Sequence, residues 1–318
     1  MSLTNNNFVL KFNNLSKKDV HLAGGKGASL GEMTNAGIPV PPGFVVLAPA
    51  FDRFLHETDL YQEIQAQLDK VNYHDTNSVD GASVVIRDLI HDTKFPKDLS
   101  DQIMGEFKNL KTPYVAVRSS ATAEDSSQAS WAGELETFLN TTQKTLIGNV
   151  RKCWSSLFTP RAIFYRHEKK LLKSHVSVAV VVQKMVQSEI AGIAFTVHPV
   201  TRDKNQIIIE AGWGLGEAVV SGQITPDSYV VDKRDFSIID VTLAEQEKMM
   251  VRKLSGGNAW QALKKNQRES QKLTGQKIIE IAKICAAIER HYKFPCDIEW
   301  AYEKKNFYIT QSRPITTL

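Results

Sequence analysis

Long hydrophobic runs are missing from this chain of 318 residues. Its longest largely aliphatic stretch, Val176 to Val182 with Ser177 and Ala179 inside it, is far short of the roughly 20 apolar residues a helix needs to cross a bilayer, which predicts no membrane partner. A basic-then-apolar leader is missing too, since the chain begins MSLTNNNFVL, and no signal peptide is expected. Cysteine is scarce: Cys153, Cys285 and Cys296 are odd in number, widely spaced and form no CxxC pair, which points to a reduced, cytoplasmic chain with core cysteines. Charge of one sign is nowhere concentrated. A formal net charge of +4 with dispersed basic residues suggests no nucleic-acid stripe.

What remains is an ordinary globular composition, 42% hydrophobic and 23% charged, on a chain long enough that two lobes are expected. The stretch around which the rest is organised is RSSATAEDSSQASWAG, Arg118 to Gly133, between the apolar run Tyr114 to Val117 and the run Thr137 to Leu139. One arginine, small hydroxyl residues, two adjacent carboxylates and a closing glycine cannot bury themselves. They form an ordered loop over something polar or a plain surface loop. A polyphosphate suits the first reading, because Arg118 offers a planar fork matched to phosphate oxygens and small residues let backbone N–H groups approach an anion.

The N-terminal part reads as a short strand over Phe8 to Phe12, then HLAGGKGASLGEMTNAGIPVPPGFVV from His21. Gly24 and Gly25 precede Lys26 in a flexible loop, Ala28 to Ala36 has helical composition, Gly37 is placed as its C-terminal cap, and the prolines beyond forbid continuation. Lys26 therefore falls just ahead of a helix N-terminus, where an anion is favoured. A Walker A loop is absent, because Val20 and Gly27 stand where that motif needs a glycine and a Ser or Thr. By itself a Gly-Lys-Gly turn is more often only a turn, and the phosphate reading gains weight from the segments that follow.

Phe44 to Leu47 reads as a strand. Three helical patterns follow between Pro49 and Leu110, starting at Phe51, Phe54 and Leu55, at Val84, Val85 and Leu89, and at Leu99, Ile103 and Phe107. Thr141 and Thr142 can cap a helix through about Phe158, and Pro160 opens another to about Lys173, whose basic residues read as a solvated face. From Ser177 the texture turns to strands: Val178–Met185, Ile190–Val197, Ile207–Glu210, Ser228–Val231 and Ser237–Val241, an antiparallel sheet of the second lobe. The first of these ends at Gln183 to Val186, where backbone groups could read an adenine edge as a neighbouring strand would.

EAGWGLGEAVVSG, Glu210 to Gly222, is glycine-rich but spaced GxGxG without a parallel βαβ unit, so it is not a dinucleotide fingerprint. A structural turn with a packing tryptophan and a substrate-facing loop both fit it. A helix from about Glu269 to Tyr292 puts Cys285 in the core. The chain closes with a hairpin, CDIEWAYEKKNFYITQSRPITTL. A three-residue loop of Lys304, Lys305 and Asn306, with Asn306 left-handed, sets Glu299 opposite Gln311 and Asp297 opposite Arg313 on one face. Ile298, Trp300, Tyr302, Tyr308 and Thr310 then share the other. A carboxylate beside an amide oxygen suits Mg²⁺, with Arg313 holding terminal phosphate charge. The alternative is a surface hairpin with one Asp to Arg pair.

These segments carry a resemblance. HLAGGKGASLGEMTNAGIPVPPGF, AVRSSATAEDSSQASWAG, VQKMV, GWGLGEAVVSG, and DIEWAY with ITQSRPI occur in the order and at about the spacing of the nucleotide-binding domain of phosphoenolpyruvate synthase (pyruvate, water dikinase), pyruvate phosphate dikinase and rifampicin phosphotransferase. What the resemblance implies is an α+β, ATP-grasp fold with two lobes clamping a nucleotide: an N-terminal lobe over 1–182 and a C-terminal lobe over 183–318, the second rich in antiparallel sheet. It implies ATP and Mg²⁺ as cofactors. Lys26 and Arg118 would contact phosphates; Gly133, Thr137 and Phe138 would line the site where the loop returns; Gln183 would lie at the adenine hinge; Glu299 and Gln311 would hold Mg²⁺; and Arg313 would reach the terminal phosphates. Thr137 and Phe138 are supplied by the family alone.

The family passes the phosphoryl group to a histidine on a separate carrier domain, and the sequence stops at Leu318, where the nucleotide domain ends. None of its eight histidines sits in a carrier setting; His198, before Pro199, ends a strand. Where the family commonly has Leu-Pro after the acidic pair, this chain has Ser126 and Ser127. The expectation is an ATP-dependent phosphotransferase domain whose carrier histidine comes from another domain or chain. Alternatives are the same module in an antibiotic kinase and a stand-alone nucleotide-binding module that does not catalyse.

Overall fold

The computed structural model describes residues 7–122, 135–171, 176–253 and 257–315. Much of the serine-rich stretch, including Gly133, and the segment bearing Ser126 and Ser127 therefore lie outside the described residues. Helices and antiparallel strands make up the chain, an α+β composition divided into two compact units. One unit comprises Met1–Glu32 with Pro42–Met185; the other comprises Met33–Pro41 with Val186–Leu318.

The first unit contains, in order, β1 (Val9–Lys11), α1 (Val20–Asn35) except its last three residues, β2 (Gly43–Val46), α2 (Ala48–Glu57), α3 (Leu60–Leu68), α4 (Thr76–Asp92), α5 (Lys97–Asn109), β3 (Val115–Ala121), β4 (Thr137–Thr141), α6 (Leu146–Ser155), α7 (Pro160–Glu168) and β5 (Val178–Lys184). Its sheet runs β1-β2-β5-β3-β4, every pair antiparallel. Strand alternation divides it into two faces. Phe44, Val182, Val117 and Phe138 form one row, and with Val46, Val115 and Val180 they join the apolar core built by α2, α4, α5 and α6. At its centre Trp154 is fully buried, with ring centroids 5.4 Å from Phe51 and 5.2 Å from both Phe54 and Phe95, contacts worth about 1 kcal/mol each beyond their buried area. The opposite face carries Val45, Val181, Arg118 and Thr137 in one row, and here α1 lies against the sheet.

Several sequence expectations are revised. Four helices, not three, fill the block before β3, because α3 separates α2 from α4. In α4 the buried stripe is Val79, Ala82, Ser83, Ile86 and Ile90, whereas Val84 and Val85 are exposed at 59% and 41%. The helical period selects the set three and four apart that includes Ile86 and Ile90, which leaves the adjacent valines off the contact. The strand Val178–Lys184 does not belong to the later sheet: it is the middle strand of the first. Gly37 closes α1 as expected, with Gly37 N–H donating to the Thr34 carbonyl and Ile38 N–H to that of Met33.

The second unit contains β6 (Ile190–Phe195), β7 (Gln206–Trp213), α8 (Glu217–Val220), β8 (Asp227–Asp232), β9 (Ile238–Thr242), β10 (Lys248–Arg252), β11 (Asn258–Ala262), α9 (Lys265–Arg268), α10 (Gly275–Tyr292), β12 (Cys296–Glu303) and β13 (Asn306–Pro314). A six-stranded antiparallel sheet has the order β13-β12-β6-β7-β8-β9; β10 and β11, which the sequence did not reveal, pair separately. The row Ile298, Ala194, Ile209 and Tyr229 is fully buried on the face covered by α10, whose own stripe includes Ile278, Ile281, Ala282, Cys285 and Ile288.

Beside that core, Lys272 and Asp227 make an ion pair of 2.7 Å with both side chains 0% exposed. Every oxygen of the carboxylate is used: Oδ1 also accepts from Ala244 N–H at 2.9 Å, and Oδ2 accepts from the Tyr229 hydroxyl at 2.8 Å and Lys272 N–H at 2.9 Å. Such saturation is what makes a buried pair tolerable. Burial and the adjacent carboxylate push the Tyr229 hydroxyl well above its usual range.

Candidate functional site

On the α1 face of the first sheet, the glycine run is seated on β3. Gly24 breaks the helix at φ 66, ψ 174, and a Cβ there would lie 2.2 Å from Ser120 Oγ and 2.3 Å from the Ser120 carbonyl oxygen. Only glycine fits this contact in a left-handed conformation. Gly27 N–H then donates to Ser120 Oγ at 3.3 Å. Lys26 lies between the two anchors, within the first turn after the break and not ahead of the helix as the composition had suggested. The difference arises because Gly24 alone interrupts the helix, leaving Gly25 already helical.

Ser120 is two residues beyond Arg118, so both project to the same face of β3. Arg118 is 9% exposed and pairs across the sheet with Val181 on one side and exposed Thr137 on the other. Gln183, 2% exposed, pairs with Ala116 and Gly43 on that same face. Thus the Lys26 turn, Arg118, Thr137 and Gln183 share one surface. Phe138 does not share it: its side chain packs into the helical core, with Lys152 Nζ 5.6 Å from its ring, so only its backbone reaches the strand position beside Arg118. Adjacent residues of a strand face opposite ways, which is why Thr137 and Phe138 separate. The backbone beyond Gln183 is also less open than expected, since Lys184 N–H donates to Pro42 and Met185 N–H to Tyr114.

The sequence reading missed Ser120. Its signal was the i, i+2 spacing from Arg118. Also unread was the bulge in β4 between the pairs Val115–Thr141 and Val117–Phe138, where Asn140 adopts φ 53. Asparagine is among the residues that accept this conformation, and the bulge shifts register next to Thr137.

In the second unit, β12 and β13 pair Glu299 with Gln311 and Asp297 with Arg313. The route to this register differs from the one anticipated. The turn has two residues, Lys304 and Lys305, at φ 49 and 69, and pairing next to it runs Glu303–Asn306, Tyr302–Phe307 and Trp300–Ile309. One extra residue, Thr310, is then accommodated between Ile309 and Gln311, and its hydroxyl donates to the Glu299 carbonyl at 3.2 Å. That bulge restores the offset a three-residue loop would have given. Consequently Phe307 and Ile309, not Tyr308 and Thr310, join Ile298, Trp300 and Tyr302 on the buried face, where Phe307 packs on Trp300 and Tyr302 at 5.6 and 4.8 Å.

Arg313 is oriented by Asp297, with Nε and Nη2 at 2.9 and 2.8 Å from Oδ2. Burial raises the Asp297 carboxyl above its ordinary range, opposed by Arg313 and reinforced by Glu299. In the row Gln311, Glu299, Ile193 and Glu210, the last is likewise raised, first by burial and then by Asp297.

The glycine-rich turn after β7 is held from several sides. Gly214 adopts φ 92 with Met250 backbone only 2.5 Å from where a Cβ would stand, Trp213 N–H donates to Gln246 Oε1 at 2.8 Å, and Gln246 Nε2 donates back to the Trp213 carbonyl at 3.0 Å. This favours the structural reading of GWGLG.

Residues 20–318 match the family described as pyruvate phosphate dikinase, AMP/ATP-binding domain. The chain belongs to that family. This AMP/ATP-binding domain is 46% identical over 318 residues to a probable phosphoenolpyruvate synthase of Methanocaldococcus jannaschii, covering 98% of this chain and 27% of that protein. It is 42% identical to the phosphoenolpyruvate synthase of Pyrococcus furiosus, covering 98% of this chain and 44% of the relative. It is also 37% identical to the rifampicin phosphotransferase of Bacillus cereus, covering 98% and 36%. The chain thus spans less than half the length of these curated relatives. Among the described residues, no helix is long and apolar enough to cross a membrane, and the three cysteines are free and buried. Burial pushes the thiols of Cys153 and Cys296 up to about 12.

Proposed function

We propose that this AMP/ATP-binding domain holds Mg·ATP in an ATP-grasp arrangement and activates the nucleotide for phosphoryl transfer. The observation that carries this reading is the seating of the Lys26 turn on Ser120, two residues from Arg118, which gathers two cations and helix N–H groups on one face. Lys26 and Arg118 contact phosphates, with Thr137, the returning backbone at Phe138, and Gly133 beside them. Gln183 lies at the adenine. In the second unit, Glu299 and Gln311 offer a carboxylate and an amide oxygen directly opposite one another, a hard donor pair that suits Mg²⁺. Among the described residues no group of three His, Cys, Asp or Glu could hold a metal alone, so the remaining ligands would be water and nucleotide oxygens. Mg²⁺ bound there would neutralise phosphate charge; Arg313, aligned by Asp297, holds the terminal phosphate.

The phosphoryl group would pass to a histidine carrier outside this chain and then to pyruvate, in a reaction giving AMP, phosphate and phosphoenolpyruvate. The rifampicin phosphotransferase matches the same residues, so the same domain could serve an antibiotic acceptor. Three free cysteines suit a reducing, cytoplasmic setting. The test is Mg-dependent protection by ATP against thermal unfolding, in wild type and in Lys26→Ala, Arg118→Ala and Glu299→Ala. Reduced protection in all three is expected, and equal protection in all four proteins would remove the site. Robust phosphoenolpyruvate formation by the purified chain alone would contradict the external carrier.

A further inference from the structure

A knot of polar groups lies beneath Arg118 and Thr137, on the helical side of the first sheet. The Glu136 carbonyl oxygen accepts from Ser119 N–H at 3.1 Å, from Ser119 Oγ at 3.0 Å and weakly from Cys153 Sγ at 3.9 Å. Ser119 Oγ is also 2.9 Å from Ser156 Oγ. The Ser156 hydroxyl donates to the Cys153 carbonyl oxygen at 2.7 Å, which leaves Ser156 Oγ able to accept. The single Ser119 proton is shared among Ser156 Oγ and the carbonyl oxygens of Glu136 and Cys153, the last at 3.2 Å, so the knot joins the strand end to α6. Ser119, Ser156 and Cys153 are 2%, 0% and 0% exposed, inside an otherwise apolar layer. The Glu136 carboxylate is fixed in turn by Arg87 of α4, whose Nη2 lies 2.9 Å from Oε1.

Glu136 and Ser119 immediately adjoin Thr137 and Arg118, the pair at this end of the two strands. A buried polar group in an apolar layer costs stability unless satisfied, and an apolar residue at position 119 would fill the space more cheaply. The knot does something a valine could not: it locks the strand ends at one offset, and Arg87 ties that offset to a helix. We infer that Arg87 and Glu136 are positioning residues for nucleotide phosphate, acting through the placement of Arg118 and Thr137. This rests on the nucleotide reading given above. The role falls on the polyphosphate, because the groups next to the knot are those that would face phosphate, whereas Gln183 stands on β5, paired with Gly43 of β2 and Ala116 of β3, away from the Ser119–Glu136 end.

The experiment measures dissociation constants for Mg·ATP and for AMP, together with the unfolding midpoint, in wild type, Arg87→Ala, Arg87→Lys and Glu136→Gln. Positioning predicts that Arg87→Ala and Glu136→Gln weaken ATP about tenfold and AMP less than about twofold, with Arg87→Lys restoring much of the ATP affinity. A merely structural ion pair would lower the midpoint and weaken both ligands in parallel, or change neither, and either result overturns the inference. Failure of wild type to bind ATP would instead remove the nucleotide reading itself, so the two failures are distinguishable.

Discussion

The two candidate surfaces are built by opposite means. In the first unit the decisive contact is a close approach, with the Gly24 backbone pressed onto the hydroxyl and the carbonyl of Ser120 and no room for a side chain at position 24. In the second unit it is a matter of phase along a ribbon, where Glu299, Gln311, Asp297 and Arg313 project together because one bulge at Thr310 corrects a short turn. A surface made by close approach has no slack, whereas one made by register tolerates changes of side chain as long as the ladder survives. Mutational sensitivity should therefore concentrate at glycine in one unit and at individual ligands in the other.

The strongest way to break this contrast is Gly24→Ala. The added methyl meets Ser120 atoms at 2.2 and 2.3 Å in a left-handed conformation, and a loss of about 3 kcal/mol is expected in denaturant unfolding, with ATP binding abolished. Tolerance of alanine would show that the turn has slack after all. Next is Glu299→Ala, which should lower Mg·ATP affinity by about 2 kcal/mol while changing unfolding free energy by less than about 0.5 kcal/mol, measured by titration with and without Mg²⁺.

A smaller effect is expected at Glu210. Its carboxyl is raised when folded, so the folded state holds its proton more tightly than the unfolded state does. The resulting stabilisation is present in acid, below the ordinary carboxylate range, and is lost as pH rises through the raised value. Glu210→Gln should remove that slope and raise the nucleotide-free melting midpoint by about 2 °C at neutral pH, with no gain at pH 4. An unchanged pH profile would mean the carboxylate is not desolvated. Smallest of all, replacing Lys304 by Asn and Lys305 by Gly should stabilise by about 0.5–1 kcal/mol, because both residues adopt left-handed φ in the two-residue turn, and should leave ATP affinity alone.

The same contrast explains what could be read from the sequence. Register along the hairpin follows from alternation and turn residues, so the pairing of Glu299 with Gln311 was accessible even though the assumed turn was not the real one. Asn306 is a natural left-handed residue, and nothing local announces that two lysines take that role instead. The close approach of Gly24 to Ser120 joins positions 96 residues apart in the chain, and no local pattern encodes such a contact. Phe138 was assigned by resemblance alone, and alternation along β4, whose start at Thr137 the sequence had marked, already separates it from Arg118. The β10 and β11 strands escaped because Lys248–Arg252 and Asn258–Ala262 lack a clear apolar alternation, being stabilised by each other and by the bridge from Gly214 to Met250.

The sealed pair of Lys272 with Asp227 has a practical corollary. An amine shut away so completely is out of reach of acylating reagents for as long as its surroundings hold. Modification of Lys272, followed by mass spectrometry under mild conditions, would thus time the rare openings of the second unit, serving as a clock built into the fold.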